Sequence, residues 1–309
     1  MKKLFFAFAA IATLASCNND QIIDFDKNPI NFGEAFVDNS VRAEDPSYGT
    51  GKLVKEFQVW GTVAGNAGSM VLFNGARVYD TDPEYGVAYN CDQHEYWIPS
   101  ATYNFVAIAH AASVTPATGM PETITYNADG VSDLLYTKTV KTVTTNTAAA
   151  PSENPVKFSF SHLLSKVHFT VTSNAQGDYK HSVTGIKVAN FGTGVYTING
   201  GTWAGTSSKD FEFGSVEDVT STSGAKTNAT QMLLIPNAAT YNVIFTVDLY
   251  KGTTKLGTQT VTKAVENDLV AGHAYNFKID CKIGAEIKFT VDENSNFDWT
   301  AVQPDITIQ

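Results

Sequence analysis

Basic residues are scarce in this chain: 21 Lys and Arg stand against 31 Asp and Glu, a formal charge of −10. A surface that acidic repels phosphate backbones, so nucleic acid is excluded as a partner. Cysteine is scarcer still, with Cys17, Cys91 and Cys281 alone, so neither a disulfide framework nor a Cys-rich zinc site can be built. Long apolar runs are missing beyond the first residues, and so is any apolar repeat at helical spacing longer than about three turns. Leu, Glu, Lys and Arg are sparse while Thr, Val, Phe, Tyr and Gly are plentiful, a balance that favours strands over helices.

The apolar stretch that does occur sits at the very start. Lys2 and Lys3 precede a run from Leu4 to Leu14, and small residues follow up to Cys17, the layout of a secretory signal over residues 1–16. Leu14, Ala15, Ser16 and Cys17 form a lipobox, in which the cysteine becomes the lipidated N-terminus and acts as an anchor, not a catalyst. Losing the leader removes two lysines and makes the chain two units more negative. Residues 18–27 are polar, as a tether behind an anchor would be.

Further on, short segments carry apolar residues at every second position, the mark of a strand with one buried face. They include Phe57, Val59 and Val63; Tyr103, Phe105 and Ala107; Val156, Phe158 and Phe160; and Val167, Phe169 and Val171. Tyr241 to Leu249, Tyr275 to Ile279 and Ile287 to Val291 repeat the pattern. Such alternation predicts antiparallel β-sandwiches. Residues 146–155 lose the periodicity and turn rich in Thr, Ala, Pro, Ser and Asn, so the domains are expected to run over 17–154 and 155–309. The Ser-, Thr-, Gly- and Asp-rich stretch 207–228 is expected to be a long loop. Cys91 and Cys281 fall in different predicted domains and are expected to be isolated thiols.

Motifs that would carry chemistry are not found. The six histidines lack metal-ligand spacing, and His162, in phase with Val156, Phe158 and Phe160, is expected to be a satisfied core or corner residue. Asp80, Asp82 and Glu84, and again Asp292, Asn294, Asn296 and Asp298, alternate in oxygen-rich loops but lack the glycine and the bidentate glutamate of a calcium loop. No nucleophile elbow, Cys–His arrangement or phosphate loop is present, so no cofactor is expected and the chain is not expected to be an enzyme. Trp60, Trp97, Trp203 and Trp299 could stack on sugar rings, although core packing is the expected fate of most, and a carboxylate pair for glycoside hydrolysis is not singled out.

One ordered set of residues goes further. Phe158, Phe160, His162, Leu164, Ser165, Lys166, Val167, Phe169 and Val171 resemble the fimbrillin-like proteins of Bacteroides-type bacteria. Ile30 and Phe32 after the lipobox, the strand end Leu233, Leu234, Ile235 and Pro236, and Leu269, Ala271, Gly272, Tyr275, Phe277 and Ile279 agree in order. Ile287, Phe289, Val291 and Trp299 close the pattern. The resemblance implies an all-β chain of two tandem transthyretin-like antiparallel β-sandwich domains. It also implies a pilus subunit that reaches the outer membrane as a lipoprotein and assembles by donor-strand exchange, supporting adhesion or biofilm formation.

In that scheme an arginine-specific surface protease cuts between Arg42 and Ala43 and removes a first strand carrying Ile30, Phe32 and Phe36 on one face. The C-terminal strand with Ile306 and Ile308 is the candidate donor, although Pro304 lacks an N–H. The implied partners are further copies of the chain, related anchor or tip subunits, the protease, the outer membrane through the lipid, and host or bacterial surface ligands. The alternatives are a glycan- or host-binding lipoprotein that never polymerises, an anchor or tip subunit, and a surface hydrolase.

Overall fold

The computed structural model describes residues 29–37, 54–65, 68–81, 89–98, 100–109, 114–116, 119–143, 155–237, 240–266 and 268–294. Cys17, the pair Arg42 and Ala43, the tract 144–154, Trp299, Ile306 and Ile308 lie outside them. Among the described residues there are eighteen strands and no helix, as the alternation and composition predict. The first nine are β1 (Phe32–Val37), β2 (Glu56–Gly65), β3 (Gly68–Asp80), β4 (Tyr89–Cys91), β5 (Ala101–Ala109), β6 (Val114–Pro116), β7 (Thr123–Asn127), β8 (Leu135–Val143) and β9 (Val156–His162). The rest are β10 (Ser165–Ser173), β11 (Tyr179–Thr197), β12 (Thr202–Val219), β13 (Lys226–Thr227), β14 (Met232–Leu234), β15 (Tyr241–Lys251), β16 (Thr254–Val265), β17 (Ala274–Cys281) and β18 (Lys288–Asn294).

Three sheets result. The first has seven strands in the order β1-β9-β8-β5-β2-β3-β4. The second runs β13-β10-β17-β18, with β14 also on β10, and the third runs β16-β15-β11-β7-β6, with β12 also on β11. Most pairs are antiparallel, but β1 with β9 and β10 with β17 are parallel. A parallel pair cannot be joined by a tight turn, and here the intervening chain builds most of a sheet before returning.

The boundary expected at 154/155 does not separate these sheets. Strand β9, on its far side, pairs with β8 and β1 of the first sheet, and the chain crosses to the second sheet at Leu163 and Leu164, both buried. Strands β6 and β7, on its near side, pair with each other and then with β11 of the third sheet. The loose composition of 146–155 marks a break between β8 and β9 within one sheet. Ile124 and Tyr126 fix β7 elsewhere, because their side chains belong to the larger of two hydrophobic cores.

That larger core lies between the second and third sheets, where Val167, Phe169, Val171, Phe277 and Ile279 face Val183, Val188, Val243 and Phe245. The smaller core gathers Phe57, Val59, Phe73, Tyr103, Phe105, Phe158 and Phe160 of the first sheet. Strand β5 feeds both: Phe105, Ala107 and Ala109 enter the smaller core, Val106 and Ile108 the larger. Its unbroken run of buried residues therefore reflects a strand covered on two faces.

The loop expected over 207–228 is largely strand. Phe211, Phe213, Val216 and Val219 are buried, and β12 pairs with β11 along nearly its whole length. Its polar composition belongs to an edge strand: the outward positions need no apolar side chain, and repeated register shifts bend the ladder.

Candidate functional site

The first strand sits at one edge of the seven-stranded sheet. On one side it follows β9 in parallel, Phe32 opposite Val156 and Val37 opposite Phe160. On the other it meets the far end of the same sheet. Pro29 forms a bridge with Tyr96, the Ile30 N–H donates to the Glu95 carbonyl at 2.8 Å, and the Val54 N–H donates to the Ala35 carbonyl at 3.0 Å. The segment 29–37 is thus a clasp that holds a rolled sheet shut.

Its side chains fill the roll. The Phe32 ring lies among Phe73, Phe158 and Phe105, with centroids 5.4, 5.9 and 6.2 Å away. These edge-on and stacked contacts stabilise beyond the area they bury. Ile30 and Ala35 enter the same core, and Ala35 is fully buried with no exposed surface. Phe36 departs from the expected single face: it is buried but belongs to neither core cluster, whereas Ala35 and Val37 pack inward. The reason is a bulge at Glu34, whose φ of 43° shifts the register between Gly33 and Ala35 and reverses the parity. Glu34 reaches across to Lys157 on β9, Oε2 to Nζ 2.7 Å.

The parity of Ile30 and Phe32 is readable from alternation; the bulge is not, since Glu34 is a residue that rarely takes a positive φ. Three features of the site went unread in the sequence: the Phe73 and Phe105 walls, the closing contact with Glu95 and Tyr96, and Lys157. A hint exists for the last, an exposed lysine between the inward Val156 and Phe158.

Other candidate residues have structural roles. His162 is a buried corner residue as predicted, its Nδ1 2.6 Å from Asp133 Oδ2. Trp60 and Trp97 are buried in the cores, and the Trp203 indole donates to the Leu163 carbonyl while its ring meets Tyr126 and Tyr196. Cys91 and Cys281 are free, and burial raises both thiol pKa values, that of Cys281 to about 12. Asp80 is described; Asp82, Glu84, Asn296 and Asp298 lie outside the described residues. Among the described residues no group of three His, Cys, Asp or Glu side chains is placed to hold a metal ion. A cleft of about 520 Å³ opens between Val247, Leu249 and Thr258 of the third sheet and Ile283 and Ile287, which lie between β17 and β18. At its wall His181 Nδ1 lies 2.8 Å from Ser173 Oγ, and burial lowers the imidazole pKa.

The profile of the fimbrillin-like family matches residues 46–295. The chain belongs to the fimbrillin-like family. Solved structures agree on the fold of this fimbrillin-like chain. A fimbrial protein from Bacteroides vulgatus is 16% identical, with a TM-score of 0.60, over 85% of this chain and 98% of that one. A candidate cell adhesion protein from Bacteroides uniformis, also 16% identical, has a TM-score of 0.53 over 88% and 98% of the two chains. One from Bacteroides ovatus, 14% identical, has a TM-score of 0.52 over 89% and 99%. No curated relative matches the fimbrillin-like chain by sequence.

Proposed function

We propose that the chain is a structural subunit of a surface pilus, exported as a lipoprotein anchored at Cys17 and polymerised by strand exchange. An arginine-specific protease cuts between Arg42 and Ala43 and frees the first strand. A strand from another copy then takes its place, and the filament grows from the outer membrane and serves adhesion. Anchor or tip subunits of the same family cap its ends.

The observation that carries this reading is the clasp. Strand β1 makes a ladder on one side only, lies at the start of the described chain, and is followed within a few residues by Arg42. Removing it would leave the Val156 and Val54 N–H groups and the Glu95 carbonyl without their present partners, because each is bonded to residues 30–35. It would also open a groove walled by Phe73, Phe105 and Phe158. An unpaired strand edge above an apolar groove is a demand for another strand, which supplies backbone bonds and alternate side chains together. Each Ile or Phe buried again stabilises the junction by about 1.5–3 kcal/mol. Contacts of this head-to-tail kind continue into filaments. Membership in a family of fimbrillin-like proteins supports the same conclusion.

The test is N-terminal sequencing of protein sheared from cells, with unheated gels alongside. A start at Ala43 and a ladder of multimers are expected. A start at Cys17 with monomer alone overturns the proposal.

A further inference from the structure

We infer that the strand entering the groove runs antiparallel to β9, opposite in direction to the strand it replaces, and that Asp305 of the incoming copy pairs with Lys157. The inference rests on the reading of β1 as a replaceable strand and fixes the polarity and register of its replacement.

Strand β9 sets the terms. Val156, Phe158 and Phe160 point into the core, and Lys157 and Ser159 point out. A strand laid beside them must alternate in the same phase, with apolar residues opposite 156, 158 and 160. The tail residues Val302, Pro304, Ile306 and Ile308 are apolar at every second position, and Gln303, Asp305, Thr307 and Gln309 between them are polar. The tail therefore fits in phase in either direction, and charge and side-chain size decide between the registers.

In the antiparallel register, Ile306 lies opposite Val156, where Phe32 now lies, and Ile308 continues into the place of Ile30. Pro304 comes opposite Phe158, the site of Ala35, which has no exposed surface and takes a small side chain. Val302 replaces Val37 opposite Phe160. Asp305 then stands opposite Lys157, the lysine that Glu34 holds at 2.7 Å while the first strand is in place. The carboxylate lost with the clasp is restored by the strand that replaces it. No bulge is needed, since an unbulged strand brings an acidic residue to Lys157 directly.

The other registers fail at named positions. Running parallel, with Ile306 and Ile308 in the places of Ile30 and Phe32, the tail puts Gln309 opposite Lys157 and leaves Val302 and Pro304 outside the groove; shifted by four residues it brings Asp305 to Lys157 but forces Ile306 into the Ala35 site and puts Pro304 where Phe32 lies. Sliding the antiparallel strand by two residues forces Ile306 into the Ala35 site and sets Thr307 beside Lys157. Charge, side-chain size and phase agree in one arrangement. An exposed ion pair adds little stability, so the pair selects register and polarity more than it holds the junction.

Two sets of variants test this in full-length chain cut after Arg42. Residues paired across antiparallel strands lie 4.5–5.5 Å apart between Cα atoms, close enough for a disulfide. Ser159→Cys with Gln303→Cys should cross-link one copy to the next under mild oxidation; Lys157→Cys with Gln309→Cys should not, and each single variant serves as control. Lys157→Glu alone, at a half-exposed side chain, should slow assembly by about tenfold, because two acids then face each other, and Asp305→Lys on the same chain should restore the rate. A cross-link confined to the second cysteine pair overturns the polarity. Assembly indifferent to the charge swap overturns the pairing. Failure of the unmodified cut chain to multimerise removes the pilus reading itself and this inference with it.

Discussion

The Trp203 indole N–H donates to the carbonyl of Leu163 at 3.0 Å, tying β12 of the third sheet to the point where the chain leaves the first sheet for the second. Leu163 returns the tie, its N–H donating to the Leu134 carbonyl at 2.9 Å. Trp203→Phe keeps most of the ring against Tyr126 and Tyr196 but leaves the Leu163 carbonyl without its donor, a loss of about 1–3 kcal/mol. Trp203→Ala removes the ring as well and is expected to cost about 3–5 kcal/mol. Urea titration of the purified chain measures both. Equal effects of the two variants would show that the ring contributes nothing at the crossing.

Phe32→Ala in the uncut chain is expected to destabilise the first core by about 3–5 kcal/mol, the range for emptying a large aromatic site. Glu34→Gln, which breaks the ion pair with Lys157 but leaves the ring in place, should cost under about 1 kcal/mol. The contrast separates packing from charge as the force holding the clasp. Thermal unfolding of the two variants reads it directly, and a larger loss from the glutamate would reverse the assignment.

The strands were legible wherever one face alone is buried. Phe57, Val59 and Val63, or Tyr241, Val243, Phe245 and Val247, alternate in sequence and point inward in the structure. Legibility failed where a strand obeys a different constraint. Strand β12 reads as a loop because an edge strand carries Ser, Thr and Asp outward, and β5 carries apolar residues on both faces because two cores claim it. The misplaced boundary has the same origin: composition reports where the chain is polar, while sheet membership depends on pairing between residues far apart, such as Leu135 with His162. At the site, Ile30 and Phe32 were visible by phase, but the displacement of Phe36 depends on a backbone bulge that no side-chain pattern announces.

Gly205 lies under the ring of Phe191 so closely that an added Cβ would overlap its Cδ1 and Cε1. Gly205→Ala must push the ring off the hydrophobic core it packs against, at a cost of about 1–3 kcal/mol. Phe191→Ala made together with it should cost less than the sum of the two single changes, because the clash is then gone. Gly257→Ala is the control. Nothing lies within 4 Å of its added Cβ, and stability should hold or rise by a few tenths of a kcal/mol.

Acid should weaken the fold in two separate windows. His168, buried on β10 next to Asn276 of β17, has its pKa lowered to about 4, first by loss of solvent and then by the nearby charge of Lys166. Its ordinary value of about 6.5 applies in the unfolded chain. Between these values the unfolded state binds a proton that the folded state refuses, so stability is full above about pH 6.5 and falls as pH drops toward 4. The loss is at most about 3 kcal/mol at 1.36 kcal/mol per unit. Below pH 4 the carboxylates take over: Asp248, held below the usual range by Lys255 and Thr258, and Asp129, held there by Ser132 and nearby backbone N–H groups despite the opposing effect of burial, lose stabilisation as they protonate. His168→Gln should reduce the slope of the upper window, leaving the part that His181 contributes through its own lowered pKa, and leave the lower window unchanged. Urea midpoints recorded from pH 8 to pH 3 on both proteins check this, and an unaltered slope between pH 6.5 and 4 in the variant would assign that window to another group.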